Sequence, residues 1–277
     1  MNSRITKSVF LKRKEENVPI TVITAYDYAM AKIIDRCGMD AILIGDSLGN
    51  VVLGYDSTLP VTMEDMIHHT KAVCRAAKRA MIITDLPFMS YETSIADGVR
   101  NAGRLLKEGG AQAVKIEGGE EIVPVVKAIV SAGIPVMGHL GLTPQSVHQL
   151  GGFKVQGKDE QTAQKLINDA KMLEEAGMFS IVLECVPSKL ADKVSKSLKI
   201  PTIGIGAGNG CDGQVIVIND ILGMDADFTP KLAKKYVDLN KIISEAVTSY
   251  MTEVVARTFP GEENSFKMSD DVLEKLY

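Results

Sequence analysis

The chain has 277 residues, 45% of them apolar, with a formal net charge of −4 and a sequence pI near 5.7. One large core fits this length; the acidic balance and the lack of a long Lys/Arg stripe exclude a nucleic-acid partner, and no apolar run nears the roughly 20 residues that span a bilayer. Cys37, Cys74, Cys185 and Cys211 lack Cys-x-x-Cys spacing and Met1-Asn2-Ser3-Arg4 leads to no apolar leader, so the expectation is a cytoplasmic protein with reduced thiols and no membrane association.

After an N-terminal extension, a strand is expected over 20–25. A helical stretch closes at Gly38 before a second strand over 41–46, where Ala41–Ile44 runs into Gly45-Asp46. Residues 62–78 predict a helix: Thr62 and Asp65 form a variant capping box after Pro60, and Met66, Ile67, Val73, Cys74 and Ala77 recur at helical spacing. A strand over 80–85 ends on Thr84-Asp85. The next helix, 94–108, carries Ile95, Val99, Ala102 and Leu106 on one face and stops at Gly109-Gly110. The strand 113–117 is apolar except for Lys115 and ends on Glu117. Helix 119–132 stops at Gly133, and strand 134–139 ends on Gly138-His139. Residues 140–158 form a Gly-containing loop of the length used for lids and binding loops. A helix over 159–176 stops at Gly177 and leads to a strand over 180–184 that ends on Glu184. Strands over 201–206 and 214–218 complete a set of eight. Residues 230–257 read as a final helical region, and the tail 258–277 as a segment that packs on a neighbouring subunit.

Repeated βα units with strands rich in Val, Ile and Ala predict a parallel sheet buried on both faces, and eight of them predict closure. The expected fold is an α/β, (β/α)8 TIM barrel forming a single domain over 1–277, with an N-terminal extension and extra C-terminal helices. In such a barrel the carboxyl ends of the strands open on one side and build the active site.

Several of those ends carry ionisable groups, which are costly there unless they are used. Asp46 and Asp85 follow neighbouring strands and suit a hard divalent cation, which takes one or two carboxylates plus substrate and water oxygens. The alternatives are a helix N-cap for Asp46 and a turn before Leu86-Pro87 for Asp85. Lys115 and Glu117 are two apart in one strand and share a face. They form either a structural ion pair or a place where the lysine meets a substrate carboxylate, with Glu117 near the metal. Glu184, between Leu183 and Cys185, sits in the apolar setting of a general base. His139 reads either as a structural residue or as a site residue. The neighbours His68 and His69 do not face each other on a helix and do not form a metal site. The Gly-rich segment Gly204–Gly210 is either a phosphate loop or a place of close backbone packing.

Taken together, these residues resemble the ketopantoate hydroxymethyltransferase family. The resemblance rests on Thr24-Ala25-Tyr26-Asp27, Gly45-Asp46-Ser47-Leu48-Gly49, Thr84-Asp85-Leu86-Pro87-Phe88, Val114-Lys115-Ile116-Glu117-Gly118, Gly138-His139-Leu140-Gly141-Leu142-Thr143-Pro144-Gln145, Gly151-Gly152-Phe153-Lys154-Val155-Gln156-Gly157, Leu183-Glu184 and Gly204-Ile205-Gly206-Ala207-Gly208. It covers nearly the whole chain without large insertions. The resemblance implies a Mg²⁺-binding barrel that transfers a hydroxymethyl group from 5,10-methylenetetrahydrofolate, a co-substrate, to 3-methyl-2-oxobutanoate. The product is 2-dehydropantoate, formed through a Mg²⁺-stabilised enolate in the first committed step toward pantothenate and coenzyme A. By motif, Asp46, Asp85 and Glu117 are implied as metal residues, Asp46, Ser47, Asp85, Lys115 and His139 as substrate-binding, and Glu184 as the proton acceptor. The implied assembly is a homo-decamer of two pentameric rings. Other readings remain at this stage: a lyase or mutase barrel acting on a phosphorylated or dicarboxylic acid, a phosphosugar barrel, and a non-catalytic scaffold.

Overall fold

The computed structural model describes residues 4–276. Met1–Ser3, within the stretch read as carrying no leader, and Tyr277, in the C-terminal tail, lie outside the described residues. Eight parallel strands form a closed barrel: β1 (Ile20–Thr24), β2 (Ala41–Ile44), β3 (Met81–Asp85), β4 (Ala113–Glu117), β5 (Val136–Gly141), β6 (Ser180–Glu184), β7 (Thr202–Ile205) and β8 (Gly213–Ile216). Each pairs with the next, and β8 pairs back with β1. The helices are α1 (Lys7–Glu15), α2 (Tyr28–Arg36), α3 (Leu48–Val51), α4 (Met63–Ala76), α5 (Ile95–Arg104), α6 (Val123–Ser131), α7 (Val147–Leu150), α8 (Glu160–Glu175), α9 (Ser188–Ser197), α10 (Ile218–Leu222), α11 (Leu239–Ala256) and α12 (Asp270–Leu273). The expected capping box is present on α4: Thr62 accepts from Asp65 N, and Asp65 accepts from Thr62 N. Helix α5 continues into a wide turn over Leu105–Gly109 and ends at Gly110 in the left-handed region, φ +89°.

Helix α1 lies across the amino-terminal ends of the strands. Lys14 pairs with Asp212 before β8 and Arg13 with Asp40 before β2, while Phe10 is fully buried edge-on to Phe179, ring centroids 5.6 Å apart. Above Phe10 the lumen is filled by Ala41, Leu43, Met81, Ile83, Ala113, Met137, Val182, Ile203 and Val215. These are alternate residues of their strands, so the same face continues upward to Asp85, Lys115, Glu117, His139 and Glu184. The apolar lower lumen and the charged upper lumen are therefore successive layers of one packed interior.

Two expectations shift. Strand β5 begins two residues later than the expected 134–139 and runs to Gly141, because Pro135 has no N–H to give the ladder and only its carbonyl takes part, accepting Val114 N. Residues 230–238, expected as helix, form turns and irregular chain. The helix starts at Leu239 because the Asp238 side chain accepts from Lys241 N and caps it there.

By internal contacts the chain groups into two compact units. One runs to Ile218 and includes Pro230–Lys234; the other consists of Asn219–Thr229 and the chain from Lys235. The second unit is built on α11, whose Ile242, Ile243, Val247, Tyr250, Met251, Val254 and Val255 are all exposed. Among the described residues no helix is long and apolar enough to cross a membrane. All four cysteines are free.

Candidate active site

The register of the barrel assembles the site. Asp85, the last residue of β3, lies opposite Lys115 on β4, with Lys115 Nζ 3.1 Å from Asp85 Oδ2. Two residues further along β4, Glu117 lies opposite His139 on β5, with His139 Nδ1 3.0 Å from Glu117 Oε1. Lys115 Nζ also lies 3.7 Å from that oxygen and 3.2 Å from His139 Nδ1. On the other side of the ring, His139 Nε2 is 3.2 Å from Glu184 Oε2 at the end of β6. Asp46, two residues past β2, joins this arc through its backbone N–H, which donates to Asp85 Oδ2 at 3.0 Å. Six of the residues singled out in the sequence thus form one continuous cluster. Ser47 stands beside it, its Oγ 2.9 Å from the Tyr26 hydroxyl.

Asp46, Asp85, Lys115, Glu117 and His139 are each at most 4% exposed. The Glu184 side chain is 15% exposed, which makes it the carboxylate with an open side. It lies at a constrained point of the chain. Gly141 has φ +93°, and a β-carbon there would overlap the Glu184 carbonyl oxygen. Cys185 holds φ +49°, unusual for a residue with a side chain. The loop after β5 is pinned on both sides of this point, Leu142 N to the Glu184 carbonyl and Gln156 N to the Cys185 carbonyl, both 2.9 Å.

Electrostatics follow from crowding charge in a dry place. Burial, with the neighbouring Asp85 and Glu117, pushes the Asp46 carboxyl well above the usual carboxylate range. Burial also raises Asp85, against the pull of Lys115. For Lys115, burial opposes the charge, but Asp85, Glu117 and Asp46 outweigh it and hold the ammonium protonated. Burial would raise Glu117 as well, yet His139 and Lys115 bring it below its ordinary value. His139 is pulled down by burial and by Lys115, and Glu117 and Glu184 more than offset this, pushing it up to about 9. The raised proton affinity of Asp46 and Asp85 marks the strain of crowding carboxylates beside a single ammonium. A bound divalent cation would relieve it.

Among the described residues no three His, Cys, Asp or Glu side chains converge as a ready-made metal cage. The corner between Asp46 and Asp85 is different: Asp85 Oδ1 is buried with no hydrogen-bond partner. A buried carboxylate oxygen without a partner, beside a second carboxylate, fits a hard cation that completes its shell with substrate and water oxygens. Glu117 has both oxygens engaged, Oε1 by His139 and Oε2 by Gln145 N at 3.0 Å, which places it behind this corner. The local alternatives for the aspartates do not account for their side chains. Asp46 Oδ2 accepts from Gln145 Nε2 at 2.7 Å rather than capping α3, and Asp85 serves Asp46 and Lys115.

Two residues escaped the sequence reading. Gln145, behind Pro144 in the loop after β5, is 5% exposed and touches Asp46, Leu86 and Glu117. Tyr91, in the loop after β3, reaches Gln145 Oε1 and the Glu117 carbonyl. Gln145 stood at the end of a quoted motif without a role, and nothing in the local pattern marks Tyr91. The Gly204–Gly210 segment packs closely on α9: a β-carbon at Gly208 would press on Ser188, and one at Gly210 on Asp192. His69 is an anchor, its Nδ1 2.6 Å from the Tyr26 carbonyl.

Comparison with known proteins gives a consistent result. A family model described as ketopantoate hydroxymethyltransferase matches residues 4–262. The chain is 58% identical over 275 residues to a 3-methyl-2-oxobutanoate hydroxymethyltransferase of Syntrophomonas wolfei subsp. wolfei, covering 99% of this chain and 100% of that one. It is 60% identical over 272 residues to the enzyme of the same name from Enterococcus faecalis, covering 98% and 99%. Among solved structures, a phosphonopyruvate hydrolase superposes with TM-score 0.61 at 11% identity, over 98% of this chain and 94% of that one. A 2,3-dimethylmalate lyase of the PEP mutase/isocitrate lyase superfamily gives 0.59 at 18%, over 98% and 94%. At these identities the structural likenesses speak for the barrel alone.

Proposed function

The chain belongs to the ketopantoate hydroxymethyltransferase family, which catalyses the first step of pantothenate biosynthesis, and from that premise we propose that it transfers a one-carbon unit from 5,10-methylenetetrahydrofolate to 3-methyl-2-oxobutanoate through an enolate, with Mg²⁺ as cofactor. The observation that carries this reading is the unpartnered Asp85 oxygen beside Asp46, set in one cluster with a charged lysine and an open glutamate.

Asp46 and Asp85 would hold Mg²⁺, with Glu117 supporting them from behind. Bound there, Mg²⁺ supplies Lewis-acid stabilisation of the charge that develops on the keto oxygen. Lys115, kept protonated by its carboxylate neighbours, offsets the charge of the oxo acid, and Asp46-Ser47 and Asp85 orient it. Glu184 takes the proton from C3. His139, between Glu117 and Glu184, stands 3.2 Å from that carboxylate and contributes positive charge near the substrate. Both bonds from the one-carbon unit to the folate nitrogens break: water adds to it and supplies the hydroxyl oxygen, the C3 carbon forms the new carbon–carbon bond, and the two nitrogens leave as N–H groups carrying one proton from water and one from C3. The loop pinned around Glu184 limits the access of bulk water during proton removal. The enzyme acts in the cytoplasm, in keeping with its free thiols, and as a homo-oligomer of the decameric type, in keeping with the exposed apolar residues of α11.

The test is formation of 2-dehydropantoate from the two substrates, with Mg²⁺ present or chelated. Turnover should require the metal, and Asp46→Ala or Asp85→Ala should abolish both turnover and Mg²⁺ binding measured by calorimetry. Near-normal rate and metal affinity in either variant would remove these residues from the site.

A further inference from the structure

The corner of the site is joined by a single side chain from outside the β2–β4 arc. Gln145 belongs to the loop after β5, yet its Nε2 donates to Asp46 Oδ2 at 2.7 Å and to the Leu86 carbonyl at 3.0 Å. Its backbone N–H donates to Glu117 Oε2 at 3.0 Å. Asp46 follows β2, Leu86 follows β3 and Glu117 ends β4, so one residue ties three consecutive strand ends. Asp46 and Leu86 fix which way the amide faces, and Tyr91 holds its far side: the Tyr91 hydroxyl lies 2.8 Å from Gln145 Oε1 and 3.0 Å from the Glu117 carbonyl. With the amide reversed, Oε1 would meet the Asp46 carboxylate and the Leu86 carbonyl, two acceptors against an acceptor.

We propose that Gln145, held from behind by Tyr91, is a positioning residue for the reaction: it holds one oxygen of Asp46, and so sets how that carboxylate would present its other oxygen to the cation and the oxo acid. A carboxylate with one oxygen tied has one way to present the other. Released, it turns about its side-chain torsions, and a hard cation tolerates such misplacement poorly. The same residue links the loop after β5 to the corner, so ordering of that loop and assembly of the site occur together. This inference rests on the Mg²⁺ reading above.

Gln145→Met tests it, since Met keeps the volume and the backbone N–H to Glu117 and removes only the amide. The Mg²⁺ dissociation constant, from calorimetry on the purified chain, should rise at least tenfold, and kcat should fall as the KM for the oxo acid rises. The thermal midpoint without metal should move by only a few degrees. Tyr91→Phe, which deletes one hydroxyl, should weaken Mg²⁺ severalfold with the fold intact, and it decides the matter if Gln145→Met does not fold. Unchanged Mg²⁺ affinity and kcat in the folded variants, with stability alone reduced, would make Gln145 a structural residue and overturn the proposal. A parent chain that binds no Mg²⁺ would instead refute the metal reading on which the proposal rests.

Discussion

Replacing Lys115 by Met removes an ammonium and keeps most of the aliphatic stem. The group removed is 4% exposed and stands 3.1 Å from Asp85 Oδ2 and 3.7 Å from Glu117 Oε1. At an effective dielectric constant of about 20, the two contacts correspond to roughly 4.5–5.5 kcal/mol of attraction each before desolvation is counted. Breaking a buried pair by removing one partner costs on the order of 3–5 kcal/mol, because the remaining carboxylates keep their burial and lose their counter-charge. Two effects follow. Denaturant unfolding of the metal-free protein should show a loss of that order. Calorimetric titration with 3-methyl-2-oxobutanoate in Mg²⁺ should show affinity lower by about 2–5 kcal/mol, since the bound oxo acid brings a further carboxylate to a site that has lost its ammonium. The two effects separate the roles. Lower stability with unchanged oxo-acid affinity would make Lys115 the structural partner of Asp85 and Glu117 and nothing more.

Further outcomes follow from the same cluster. Gly141→Ala places a β-carbon against the Glu184 carbonyl at φ +93°, so it should cost on the order of 1–3 kcal/mol of stability and lower kcat by displacing Glu184; an unchanged thermal midpoint would show that β5 and β6 part without strain. The folded pKa of His139, about 9, lies above its ordinary value of 6.5, so its contribution is full below pH 6.5 and is lost as pH rises through 9. That shift corresponds to on the order of 3 kcal/mol. Metal-free unfolding between pH 6 and pH 10 should therefore lose stability in the parent chain, and His139→Gln should flatten that slope; parallel curves would place the titration elsewhere.

Much of this was legible in the sequence because a strand buried on both faces of a barrel has to be an apolar run, and a charge at its end stands out. Asp85, Lys115, Glu117 and Glu184 are visible for that reason, and the two-residue spacing of Lys115 and Glu117 puts both on one face, which the fold turns toward the lumen. The sequence did not show which strands are neighbours in register, so the contact between Glu117 and His139, which accounts for the histidine's high proton affinity, emerged only from the fold. Gln145 was hidden for a related reason. Its partners lie up to 99 positions away, and a glutamine in a loop has no local pattern that reports such bonds. The helix expected from residue 230 begins at 239 because a single cap at Asp238 outweighs favourable helical composition upstream. The Gly204–Gly210 segment left two readings open; close approach to α9 accounts for Gly208 and Gly210, while Gly204 lies against Gln214 and Gly206 against Leu232.

The central claim is that Glu184 removes the C3 proton of the oxo acid before any carbon–carbon bond forms. Deuterium exchange at C3 of 3-methyl-2-oxobutanoate, followed by NMR in D₂O with Mg²⁺, tests this most directly when the parent chain and Glu184→Gln are compared. The substitution keeps the size and reach of the side chain. Mg²⁺ and oxo-acid affinity should change little, while exchange and hydroxymethyl transfer should both fall by roughly 10²–10⁴, the usual share of a general base. Persistent exchange with transfer lost would contradict the account: the base would then be another group, with His139 the nearest, and Glu184 would serve the one-carbon donor instead.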